Sequence, residues 1–192
     1  MRIALFGTSG DPPTIGHQKI LQWLCAHYHL VVVWVSNNPF KTHHATLEQR
    51  LEMMALITDS IAPKPRNLEI HPEISHPHTL KTIELARQIW TQDTFDLVIG
   101  ADLVGQIPTW YRAPDLLSQV NLLVVPRQGY EILATDLERL HSFGTKVAIA
   151  DLAVPISSST EFRQKGAESH LIPALLEYIH RNCIYPWLNP PS

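Results

Sequence analysis

Little in this chain of 192 residues favours covalent cross-links or a protein-built metal cage. Its two cysteines, Cys25 and Cys183, lie far apart in sequence and outside any CxxC spacing. A disulfide framework and a four-cysteine zinc site are excluded, and a reducing cytosol, hence a cytoplasmic location, is the expected setting. Charge of one sign is also missing. Fifteen Lys and Arg stand against eighteen Asp and Glu, a net charge of −3 with His neutral. No positive field draws in nucleic acid or an anionic membrane, so neither is an expected partner. The apolar run 30–35 is far too short to span a bilayer. The apolar start at 2–6 is too short for a secretory segment and has no cleavage signal.

What is present suits a packed core. Hydrophobic residues make up 45% of the chain and charged residues 17%. The length fits one domain, 1–192, with a C-terminal helical part over about 156–185. The tail 186–192, with Pro190 and Pro191, is expected to fray. The remaining prolines are spread out, and no repeat or linker interrupts the chain.

Short apolar runs alternate with stretches of helical period. Strands are predicted at 2–6, 30–35, 68–71, 95–99, 121–125 and 146–150. Helices are predicted at 15–28, 46–60, 79–90, 158–165 and 171–181, where apolar residues recur at spacings of three and four. Strands that are apolar without alternation are covered on both faces. The order points to an α/β fold with an open, mostly parallel sheet and helices on both faces. Ligands in such sheets bind beyond the carboxyl ends of the strands.

The first strand ends in Gly7-Thr8-Ser9-Gly10-Asp11-Pro12-Pro13-Thr14-Ile15-Gly16-His17. Gly7 and Gly10 allow a sharp turn and a close approach to a ligand. Thr8 and Ser9 offer hydroxyls, and Thr14 is placed to cap the next helix. That helix start favours an anion, and His17 leans back towards the strand ends. These residues describe a phosphate site. They equally describe a plain strand-turn-helix connection, and the spacing is neither GxGxxG nor GxxxxGK[ST].

The full string resembles the signature of the HxGH nucleotidyltransferases, written G-G-T-F-D-P-x-H-x-G-H. Thr8 stands for the second glycine, Gly10 for the aromatic and Thr14 for the first histidine. Later segments resemble, in order, bacterial nicotinate mononucleotide adenylyltransferases. They are Ser36–Lys41, Arg50-Leu51-Glu52-Met53, Thr79-Leu80-Lys81-Thr82, Gly100-Ala101-Asp102, Trp110-Tyr111, the run 124–130, ISSSTEFR at 156–163 and LLEYIHRNCIY at 175–185. Pro77 and His78 replace the Ser-Tyr of that family's pattern, and ISSSTEFR has one serine more than usual.

The resemblance implies a Rossmann-like fold and adenylyl transfer from MgATP to nicotinate mononucleotide. It implies catalytic roles for His17 and Arg163. Gly7, Thr8, Ser9, Thr14, Gly16, His17, Gly100, Asp102, Ser158, Ser159 and Arg163 would bind ATP. Asn38, Lys41, Thr79, Trp110 and Tyr111 would hold the pyridine mononucleotide. Mg2+ would arrive with ATP, with no protein metal site. The neighbouring expectations are nicotinamide mononucleotide or phosphopantetheine as acceptor, or a nucleotide-binding sensor without turnover. A homo-oligomer is compatible with the sequence.

Plain structural roles stand beside these. Asp102 is placed to cap a helix, Trp110 to pack in the core, Lys41 to sit in solvent, and Arg163 to pair with Glu161 or Glu168. The eleven histidines show no HExxH spacing, which favours surface and loop roles. Cys25 is expected in the core.

Overall fold

The computed structural model describes residues 1–37, 42–152, 154 and 159–186. Six strands form one sheet: β1 Arg2–Thr8, β2 Leu30–Val35, β3 Leu68–Ile70, β4 Thr94–Gly100, β5 Asn121–Val125 and β6 Val147–Ile149. Their order is β3-β2-β1-β4-β5-β6, and every neighbouring pair is parallel. The helices are α1 Ile15–His27, α2 Leu47–Asp59, α3 Thr79–Ile89, α4 Ala113–Leu117, α5 Ala134–His141, α6 Ser159–Lys165 and α7 Pro173–Arg181. None of these is long and apolar enough to cross a membrane.

The sheet is apolar on both faces because helices cover both. Alternate residues of a strand point to opposite faces. Ala4 and Phe6 of β1, with Val31, Val33 and Val35 of β2, pack against α1, α2 and α7 through Leu24, Met54, Ile57 and Leu175. Ile3 and Leu5, with Val32 and Trp34, pack on the other side against α3 and α4 through Leu80, Ile83, Leu116 and Leu117. One polar cluster sits among the amino ends of the strands. The buried Asp96 carboxylate accepts bonds from Arg2 Nη2 at 2.6 Å, Tyr28 Oη at 2.8 Å and Asn121 Nδ2 at 2.8 Å.

Two helices appear that the periodicity did not predict. A parallel pair needs a crossover of a dozen or more residues, usually with a helix. α4 supplies part of this between β4 and β5, and α5 supplies it between β5 and β6. α4 has five residues, too few to display a period. α5 turns only Leu137 and Leu140 towards the sheet, among five charged or polar neighbours in ATDLERLH. Within the described residues, α6 from Ser159 and α7 make up the C-terminal helical part, and 155–158 and the tail 187–192 lie outside them.

Candidate active site

β1 and α1 are joined by the loop that carries the glycine-rich string. At Gly7 a side chain would collide with the Trp34 indole. Gly10 turns the chain at φ +55°, a conformation that favours glycine. Thr14 then caps α1 through a reciprocal box. Its side chain takes the backbone N–H of His17, and the His17 ring takes the backbone N–H of Thr14. The second bond runs from Thr14 N to His17 Nδ1 at 3.0 Å. The other ring nitrogen, Nε2, lies 3.0 Å from Thr8 Oγ1. The first turn of α1 contains no acidic residue, so its N-terminal partial charge is unopposed.

His17 is part-buried, and burial is the main cause that lowers its pKa from 6.5 to about 4, with nearby Arg127 adding to it. The unfolded chain therefore binds a proton over an interval where the folded chain does not. This contribution to stability is whole above pH 6.5 and is lost as the pH falls through about 4. The gap in melting temperature between the wild type and His17→Gln is expected to narrow over that interval. A gap independent of pH would show that His17 is not held neutral.

Behind the loop lies a buried scaffold. Arg50 of α2 is 1% exposed. Its Nη1 donates to Ser9 O at 2.9 Å and Ser36 O at 2.8 Å, and its Nη2 to Asn37 Oδ1 at 3.3 Å. It joins the phosphate loop to the end of β2. The buried Asp11 carboxylate accepts from His44 N at 2.9 Å, Ala45 N at 3.2 Å and Tyr185 Oη at 2.7 Å. Burial first, and then Asp11, drives the Tyr185 phenol far above its ordinary pKa. α6 closes the other side. Ser159 Oγ donates to Pro12 O at 2.7 Å, and Arg163 donates to Asp11 O and, at 3.2 Å, to Thr160 Oγ1. Glu161 instead pairs with Lys165 and Glu168 faces His180, so both surface partners considered for Arg163 are engaged elsewhere.

The third wall comes from the ends of β4 and β5. A side chain at Gly100 would strike the Asp102 carboxylate. Asp102 Oδ2 pairs with Arg127 Nη1 at 3.2 Å. These walls enclose a cavity of about 330 Å³. Gly7, Thr8, Ser9, Thr14, Gly16 and His17 line one side of it; Gly100, Asp102, Ser159 and Arg163 line the rest. All of the expected ATP-binding residues within the described chain are thus brought together, and Ser158 lies outside it.

A second cavity, about 400 Å³, shares Gly7, Thr8 and Ser9 with the first. Trp34, His78, Thr79, Trp110 and Tyr111 line it. Trp110 also packs on the sheet, so it is at once a core contact and part of the cavity wall. Tyr111 is exposed and stacks on His78, with ring centroids 4.3 Å apart and an interplanar angle of 23°. His78 N–H in turn donates to His76 Nδ1 at 3.0 Å. Asn38 and Lys41 lie outside the described residues. Among those described, no group of three or more His, Cys, Asp or Glu is placed to hold a metal ion. Cys25 is only part-buried, packed on the core rather than inside it.

Sequence reasoning assigned no role to Arg50, Tyr185 or Arg127. Arg50 had a readable signal. It shares the buried face of α2 with Met53, Met54 and Ile57, where a charge has to meet internal acceptors. Tyr185 and Arg127 stand in the segments 175–185 and 124–130 that carry the family resemblance, but their contacts at the site come from distant parts of the chain and had no local mark.

A family profile described as "Cytidylyltransferase-like" matches residues 5–165. A Synechocystis protein named "Probable nicotinate-nucleotide adenylyltransferase" is 35% identical over 96% of this chain and 99% of its own. A protein of the same name from Thermus thermophilus is 31% identical, over 96% of this chain and all of its own length. Among solved structures, Plasmodium falciparum nicotinic acid mononucleotide adenylyltransferase complexed with NaAD superposes with a TM-score of 0.83 at 18% identity. That match covers 96% of this chain and 97% of the other, a likeness of fold.

Proposed function

The chain belongs to the cytidylyltransferase-like family, and on that footing we propose that it transfers the adenylyl group of MgATP to nicotinate mononucleotide. The products are nicotinate adenine dinucleotide and pyrophosphate, and the step belongs to NAD biosynthesis. One observation carries this reading. A cavity rich in phosphate-directed donors and a cavity walled by aromatic rings meet at Gly7, Thr8 and Ser9. Two nucleotides bound in them would bring their phosphates together at that shared edge.

The chemistry asks for little beyond alignment and neutralisation of charge. A phosphate oxygen of the mononucleotide attacks the α-phosphorus of ATP. The new P–O bond forms as the bond from the α-phosphorus to its bridging oxygen breaks, and pyrophosphate leaves with that electron pair. The attacking oxygen is already ionised, so no base is needed. Thr8, Ser9 and the start of α1 supply donors to the phosphates. His17 stabilises charge that builds up on them. Arg163, beside the loop at Asp11, supplies the fixed positive charge for the leaving pyrophosphate. Mg2+ carried by the ATP phosphates would supply further neutralising charge, and Asp102 on the cavity wall would hold it through water. On the acceptor side, Trp110 and Tyr111 supply aromatic faces for the pyridine ring, and Thr79 begins α3 beside them.

Trp110→Ala is expected to raise KM for the mononucleotide by about five- to tenfold, the worth of one stacked ring, with kcat nearly constant. A change confined to the KM for ATP would move the pyridine elsewhere. The reaction itself is tested with ATP labelled at the α-phosphate. The label is expected in the dinucleotide, one for each pyrophosphate released. Label appearing as free AMP would replace this reading with hydrolysis.

A further inference from the structure

Thr8 stands where the nucleotidyltransferase signature has its second glycine, and the direction of each hydrogen bond around it follows from the partners. A backbone N–H can only donate. The N–H of Thr14 points at His17 Nδ1 at 3.0 Å, a placement that a proton on Nδ1 would oppose. Thr14 Oγ1, 3.1 Å from the same nitrogen, already takes the His17 backbone N–H and can turn its own proton towards Nδ1, so Nδ1 offers its lone pair there. The single proton of a neutral imidazole then sits on Nε2. Nε2 is 3.0 Å from Thr8 Oγ1 and donates to it. Gly10 N–H donates to the same oxygen at 3.2 Å. A hydroxyl oxygen has two lone pairs, and both are now filled. The Thr8 hydroxyl proton is the one donor left over, and Thr8 lines both cavities at their shared edge.

The surroundings agree with a neutral ring. The Phe6 ring lies 6.2 Å from that of His17. Arg127 faces the ring from the end of β5, and Arg163 lines the same cavity. The two carboxylates of that cavity are engaged elsewhere. Asp11 is held by His44 N, Ala45 N and Tyr185, and Asp102 by Arg127. Burial of the ring and the nearby Arg127, with the carboxylates tied to other partners, disfavour an imidazolium.

We propose that Thr14 N–H, His17 and Thr8 form a one-way hydrogen-bond chain that fixes His17 neutral with its proton on Nε2 and presents the Thr8 hydroxyl proton to a phosphate oxygen. The identity of that phosphate rests on the adenylyl-transfer reading; the direction of the chain does not. Thr8 is then a contact residue for the anion, and His17 polarises it from behind, because bonds in such a chain strengthen one another. Without a side chain at position 8, His17 Nε2 would have no hydroxyl to donate to.

Two experiments on the full chain test this. Long-range 1H–15N correlation spectra of the ligand-free, 15N-histidine-labelled protein report each ring nitrogen, with the His17 signals identified by their loss in His17→Gln. Near neutral pH and down to about pH 5, the expected pattern has a protonated Nε2 and a bare Nδ1, unlike the ordinary imidazole that titrates near 6.5. A proton on Nδ1, or an imidazolium at neutral pH, overturns the chain. In steady-state pyrophosphate release, Thr8→Val is expected to lose about tenfold or more in kcat, and Thr8→Ser, which keeps the hydroxyl, to recover most of that loss. The Thr8→Val, His17→Ala double variant is expected to be no slower than His17→Ala alone, since residues acting as one unit are not additive. Losses that multiply overturn the chain as well. A wild type that releases no pyrophosphate with nicotinate mononucleotide would remove the adenylyl reading, while the nitrogen spectra would still decide the chain.

Discussion

His17→Ala is expected to lower kcat for pyrophosphate release by about 10²–10³-fold, the usual cost of losing one pre-oriented donor from a charge-stabilising site, here the Thr8 hydroxyl that His17 holds and polarises. The ring is oriented at both ends before any ligand arrives, by Thr14 N–H on Nδ1 and Thr8 Oγ1 on Nε2. Such a group needs no reorganisation when charge develops on the phosphates. Its removal should therefore act on kcat and kcat/KM together, with a smaller effect on KM for ATP. The fold should survive, because the apolar core beneath α1 is made by Leu21 and Leu24, not by His17. A circular dichroism melt checks that point. An unchanged kcat in a folded variant would mean that the phosphates bind elsewhere.

Arg50→Ala is expected to cost about 3–5 kcal/mol of stability, as for a broken buried charged network. Three acceptors, Ser9 O, Ser36 O and Asn37 Oδ1, lose their donor at once. A side chain that is 1% exposed also leaves a hole beside Met53 and Met54. Arg50→Lys should recover only part of the loss, since a single ammonium cannot reproduce the planar fork whose Nη1 holds Ser9 O and Ser36 O while its Nη2 reaches Asn37 Oδ1. Urea unfolding measures both variants. An Arg50→Ala protein within about 1 kcal/mol of the wild type would show that water replaces the guanidinium without penalty.

The two effects separate what the sequence could reveal from what it could not. The four central strands, β1, β2, β4 and β5, were readable because each is a short, mostly apolar run buried on both sides, and the part-buried or exposed edge strands β3 and β6 were readable by their apolar residues alone. The phosphate loop was readable because glycines, hydroxyls and a helix start are adjacent in the chain. Thr14 could be assigned as a cap for the same reason. α4 and α5 were not readable, because one is five residues long and the other shows only two apolar positions. The scaffold behind the loop depends on contacts between distant residues. Tyr185 reaches Asp11 across 174 positions, and Arg163 reaches the same residue across 152. No local pattern encodes such a meeting. The direct bond between Thr8 and His17 likewise needed coordinates, since they stand nine positions apart across a turn. The burial that keeps His17 neutral follows from the same packing.

The measurement closest to the central claim is the rate of pyrophosphate release from MgATP with nicotinate mononucleotide, nicotinamide mononucleotide and phosphopantetheine offered separately. The account predicts fast release with nicotinate mononucleotide, slower release with the amide form and none with phosphopantetheine. Release with phosphopantetheine alone would keep the cytidylyltransferase-like family and contradict the acceptor. No release with any of the three, from a protein that binds ATP, would contradict catalysis and leave a nucleotide-binding sensor.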